Sequence, residues 1–131
     1  MKTRARFFFL VLLPLLAGGL IYIFFRPGSI RFKTWFAQTP VTTLPHVLPD
    51  WMVYNLPAGL WLFAFLYALR LLQSPPVYFV LALVFAFGTE LLQATAYAGG
   101  TFDSSDLLAY GIAAGIFYFL QKIKPVQIIP V

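Results

Sequence analysis

The stretch PVYFVLALVFAFGTELLQATAY, residues 76–97, decides how this chain is read. As a helix rising ~1.5 Å per residue it is about 33 Å long, which matches a bilayer hydrocarbon core of about 30 Å. Its only ionisable acid or base is Glu90. In lipid no water is present to satisfy backbone N–H and C=O groups, so such a stretch has to be helical unless many strands close a barrel. Working outward, residues 7–25 and 51–69 are each 19 residues long with no Asp, Glu, Lys or Arg, and residues 104–120 repeat the pattern more weakly after Asp106. The expected fold is therefore all-α: one polytopic membrane domain over residues 1–131, a helical bundle of four transmembrane helices, with an irregular outer loop at 26–50.

Composition agrees. The 131 residues are 61% hydrophobic and 19% aromatic but only 10% charged, whereas a soluble domain carries about 25% charged residues. So few charges cannot cover a water-facing surface. Cysteine is absent, which excludes disulfide scaffolds, thiolate nucleophiles and Cys-ligated metal centres. The net charge of +5 comes from bases scattered around apolar runs. With no basic stripe, nucleic acid is not an expected partner; membrane lipids are, and another membrane subunit or a second copy of the chain fits the small-residue motif described below.

The bases set an expected orientation. Lys2, Arg4 and Arg6 precede the first span, Arg70 follows the second, and Lys122 and Lys124 follow the fourth. All fall on one side if both termini are cytoplasmic in a multi-pass protein of the bacterial inner membrane. Arg26, Arg31 and Lys33 then lie outside, in a loop broken by Pro27-Gly28, Pro40, Pro45 and Pro49. The basic, aromatic segment 30–36 suits the lipid–water boundary. Residues 7–25 also resemble a secretory signal, but the run is too long and lacks a clean cleavage site, so it reads as a span, kinked near Pro14 or Gly18-Gly19.

Every acid then gathers toward the outer face: Asp50, Glu90, Asp103 and Asp106. A carboxylate inside a span costs several kcal/mol unless paired or protonated. Glu90 is thus a ligand, ion or proton site, or a buried anchor held by Arg26, Arg31 or a backbone donor. Gln93 follows at i+3 on the same helical face. Asp103 or a neighbouring serine is placed to cap the fourth helix, and Asp106 sits in its first turn, where the helix dipole favours an anion. The short Ala98-Gly99-Gly100 turn brings these two aspartates back toward Glu90 and Gln93. Neighbouring carboxylates need a cation, a shared proton or basic partners. Gly111 and Gly115 form a GxxxG motif that lets another helix approach closely, and the blander partner is the third helix of the same chain. His46 stands alone, without a second histidine or a nucleophile pattern.

The residues Glu90-Leu-Leu-Gln93, followed by Thr101-Phe-Asp103-Ser-Ser-Asp106-Leu-Leu-Ala109, resemble the signature half of VanZ-like membrane proteins, a family named for a teicoplanin-resistance protein. The likeness covers about the last 45 residues; the first half is similar in hydrophobic layout only. Gly99 and Gly100 stand where the family has an arginine, Tyr110 where it has an asparagine, and Tyr54 where it has a histidine after an acid matched by Asp50. Charge compensation then falls to Arg26, Arg31 or Lys33. The resemblance implies a small bacterial envelope protein, linked to glycopeptide resistance or envelope maintenance. The expected function is non-enzymatic: binding an envelope ligand, a lipid headgroup or a partner subunit through Glu90, Gln93, Asp103, Asp106, Arg31 and Asp50. No catalytic residue, metal ligand or cofactor is assigned. The alternatives are an intramembrane metal- or carboxylate-dependent enzyme and a small proton-coupled transporter.

Overall fold

The computed structural model describes residues 3–25, 47–95 and 101–123, and everything structural below refers to these. Arg26, Arg31, Lys33, His46 and the Gly99-Gly100 bend lie outside them. All regular structure among the described residues is helical. Helix α1 (Thr3–Phe7) runs through a π-helical turn (Phe8–Leu12) into α2 (Leu13–Phe25). The short helix α3 (Asp50–Tyr54) precedes α4 (Leu56–Leu71), followed by α5 (Pro76–Gln93) and α6 (Ser104–Ile123).

Three stretches are long and apolar enough to cross a membrane: Arg4–Phe25, Pro76–Gln93 and Ser104–Ile123. The spans expected at 7–25 and 104–120 are both extended, the latter becoming a 20-residue helix despite its polar entry. The span expected at 51–69 is instead interrupted at Asn55, leaving the 16-residue α4. Pro57 explains the break, because it has no N–H to return to the Val53 carbonyl. The third helix stops at Gln93, closed by Ala94 N–H to Leu91 O at 3.1 Å and Thr95 N–H to Leu92 O at 3.0 Å. At Pro14 the first helix does not break. The Leu13 N–H reaches back to Phe8 O, and the wider π turn just ahead of the proline absorbs its missing amide.

Aromatic and glycine contacts fix the register. Gly59 packs beside Ala109 and the Tyr67 ring meets Phe117 edge-on at 5.0 Å, so α4 and α6 run the same way. Phe79 meets Phe117 at 5.9 Å and Phe87 meets Tyr110 at 5.7 Å, so α5 runs against them. Gly18 lies against Pro57 and Leu60, the π turn touches α4, and α2 touches α3, so the first helix is antiparallel to α4 as well. Arg4, Arg6, Arg70 and Lys122 therefore share one end of the molecule, and Asp50, Glu90, Asp103 and Asp106 share the other.

The core is formed by Leu62, Leu66, Tyr67, Ala82, Ala86 and Phe117. On α5 the buried positions are Ala82, Ala86 and Glu90, one per turn on a single face. Phe79, Leu83 and Phe87 flank that face against the core, while the opposite face points outward, with Val84 and Phe85 each 61% exposed. Meanwhile Glu90 is only 3% exposed and Asn55 9%. Apolar outside and polar inside is the distribution that a lipid solvent selects.

One packing expectation is corrected. Gly111 and Gly115 are exposed, and a Cβ added to either meets nothing within 4 Å. The intimate α4–α6 contact uses Gly59 instead, where a Cβ would stand 3.2 Å from the Ala109 carbonyl oxygen. Helix α6 turns the Tyr110, Ala113 and Phe117 face inward, and its GxxxG face away.

Candidate functional site

Asp103 is the joint of the acidic end. Its carbonyl accepts the Asp106 N–H at 3.0 Å, and its Oδ1 accepts the Ser105 N–H at 2.8 Å. It is the N-cap of α6, satisfying amides that the first turn leaves without helical partners. Its own N–H donates to Glu90 Oε1 at 2.9 Å, so the carboxylate in α5 is anchored by a backbone donor from the α6 entry. Its Oδ2 accepts from Asn55 Nδ2 at 2.9 Å, and the same amide nitrogen donates to Asp106 Oδ1, also at 2.9 Å. Two carboxylate oxygens on one amide end fix that end as the NH2, since a carboxylate only accepts. The Asn55 amide first, and the Ser105 N–H second, hold the Asp103 carboxyl below its ordinary value.

Glu90, Asp103 and Asp106 border a cavity of about 540 Å³ at the acidic end. Glu90 and Gln93 come from α5; Thr101, Asp103, Asp106 and Tyr110 from the α6 entry and its first turns. Tyr22 of α2, Tyr54 of α3 and Pro57, Ala58 and Trp61 of α4 complete its lining. No basic side chain lines it among the described residues. Across α4, a second cavity of about 570 Å³ is almost wholly apolar, bounded by residues such as Leu60, Phe63, Leu108 and Ile112, with Asn55 and Ser105 at its acidic end. The polar residues are thus concentrated around the first cavity.

Glu90, Gln93, Asp103 and Asp106 thus converge as their spacing suggests. Asp50 does not join them: it opens α3 as an exposed residue and does not line the cavity. Arg31 falls outside the described residues. Sequence reading passed over Asn55, although a lone amide among apolar residues, two positions before a proline, is a usable signal. It also passed over Tyr22, which carries no local signal because aromatics are common throughout the spans. Among the described residues no three acids or histidines are grouped so that they could hold a metal ion. No family model matches the chain, and no curated protein or solved structure is similar enough to count as a match.

Proposed function

We propose that this is a non-enzymatic, VanZ-like protein of the bacterial cytoplasmic membrane that binds a positively charged group of an envelope ligand, lipid headgroup or partner subunit in the acid-lined cavity. In this reading α4 with α3 completes a fourth crossing, the Arg4, Arg6, Arg70 and Lys122 end is cytoplasmic, and the cavity opens outward. The observation that carries it is Glu90: a 3%-exposed carboxylate sharing one cavity with Asp103 and Asp106. Carboxylates gathered at one cavity favour a cationic group there. The E-x-x-Q and double-aspartate pattern supports the family assignment. A metal-dependent enzyme fits less well, since no three ligands come together among the described residues.

The test is Glu90→Gln combined with Asp106→Asn. Both amides keep the size and an acceptor oxygen while removing charge. The expected outcome is a folded protein that no longer binds cationic ligands and loses its contribution to glycopeptide tolerance or envelope integrity. Unchanged binding and phenotype would reduce the cluster to an anchor between helices.

A further inference from the structure

The basic end of the molecule holds polar atoms that the fold leaves without partners. Arg70 Nε and both amide atoms of Gln121 are enclosed, yet none of the three makes a hydrogen bond. The two side chains belong to one layer. Helices α4 and α6 run in parallel, with Gly59 beside Ala109 and the Tyr67 ring against Phe117. Arg70 lies one turn beyond Tyr67 on the same face, and Gln121 lies one turn beyond Phe117 on the neighbouring helix. The Tyr67 hydroxyl is near enough to act on the Gln121 amide, but neither amide atom reaches hydrogen-bond geometry with it. An enclosed donor without an acceptor is costly, and a charged one more so.

Charge indicates what the missing partner is. The sequence has four Asp and Glu residues, and all four stand at the opposite end of the helices. Arg4, Arg6 and Lys122 share the Arg70 end, so no carboxylate side chain of this protein can neutralise that guanidinium. We propose that Arg70 and Gln121 form a phosphate site between the ends of α4 and α6. The Arg70 Nε–H and the Gln121 NH2 donate to phosphate oxygens, a match that suits a guanidinium especially well. The Gln121 carbonyl oxygen accepts from a hydroxyl carried by the same ligand. Both residues are only half-buried, so a small rotation of these long side chains admits the group. The phosphate is that of an anionic phospholipid headgroup or a free solute. Arg70 is in the last turn of α4, the level at which headgroups meet juxtamembrane bases.

Native mass spectrometry of the delipidated full chain in neutral detergent tests the site, with phosphatidylglycerol, phosphatidylcholine and inorganic phosphate as probes. Phosphatidylglycerol is expected to bind at least about tenfold more tightly than phosphatidylcholine, which has neither net charge nor a headgroup hydroxyl. Arg70→Lys keeps the charge but removes the Nε donor, and Gln121→Leu removes both amide atoms; each should weaken binding about fivefold. Lys122→Gln, at an exposed position, should change it less than about twofold. In the ligand-free protein Gln121→Leu should raise the unfolding midpoint by roughly 4 °C, because it deletes unpaired polar atoms at similar volume. Binding that ignores Arg70→Lys and Gln121→Leu, or that falls as far with Lys122→Gln, reflects net charge alone and overturns the proposal. A lowered midpoint for Gln121→Leu overturns it too, since the fold would then already satisfy the amide. So does binding of neither phosphatidylglycerol nor inorganic phosphate. If both variants weaken binding, competition names the source: lipid displaced by inorganic phosphate means a soluble phosphate, and lipid retained in its presence means a headgroup.

Discussion

Asn55 joins three parts of the chain through a single amide. Both of its donors end on carboxylates that lie 48 and 51 positions further along. Hydrogen bonds to a charged partner contribute about 1.5–3 kcal/mol each, so Asn55→Ala is expected to lower stability by about 2 kcal/mol or more. The pH dependence has a definite sign. The folded Asp103 carboxyl titrates below its unfolded value, so its contribution is complete above the unfolded pKa and disappears as pH falls through the lowered folded one. Asn55→Ala should move that acid loss to higher pH; thermal unfolding in detergent across a pH series checks both effects. At Glu90 the substitution matters more than the position. Glu90→Gln retains an acceptor for the Asp103 N–H, whereas Glu90→Leu strands that donor and should cost about 1–3 kcal/mol in the same assay. The acids were legible in the sequence because a charge inside an apolar run is rare. Asn55 was less so, because a neutral amide beside a proline looks local until its distant partners are known.

Glycines separate the helix faces that touch from those that do not. Gly59→Ala places a methyl group 3.2 Å from the Ala109 carbonyl oxygen and should destabilise the α4–α6 pair. Gly111→Ala and Gly115→Ala meet open space, and each should be neutral or gain up to about 1 kcal/mol from helix propensity. Denaturation of the three single variants ranks them. The motif could not foresee this, since small residues permit close approach but do not say which face a partner takes. A further element-scale effect lies at the end of α4, where Ser74 N–H reaches Leu69 O at 2.9 Å and Gln73 N–H reaches Arg70 O at 3.1 Å, closing the helix with Gln73 at φ 55°. Glycine holds that backbone without strain. Gln73→Gly should therefore stabilise the protein by about 1 kcal/mol, measurable as a higher unfolding midpoint. Helix existence followed from apolar length alone. The break at Asn55 and the π turn before Pro14 did not, because a proline's effect depends on which neighbouring carbonyl the packing leaves to satisfy.

At the scale of the whole chain, the separation of bases and acids to opposite ends makes orientation testable with little engineering. The native sequence has no cysteine, so any introduced thiol is unique. Thr101→Cys should react with a membrane-impermeant maleimide in intact cells, whereas Gln73→Cys, at the basic end, should react only after permeabilisation. Reversed labelling would turn the cavity toward the cytoplasm and end the proposed envelope role. The all-helical, inside-out character was legible because lipid leaves so few alternatives for a chain this apolar. The parallel course of α4 and α6, and the gathering of Tyr22, Tyr54 and Trp61 at the acid-lined cavity, required tertiary contacts that no local pattern encodes.

The depth of Glu90 also bears on how an energised cell would use such a site. It sits about 4.5 Å in from the last residue of α5, roughly 15% of a ~30 Å slab. A monovalent cation moving that far through a potential of 100 mV gains about 0.3 kcal/mol. Voltage would therefore change occupancy by less than about twofold, and the chamber fills according to what is dissolved or anchored beside it, almost indifferent to whether the cell is charged or depolarised.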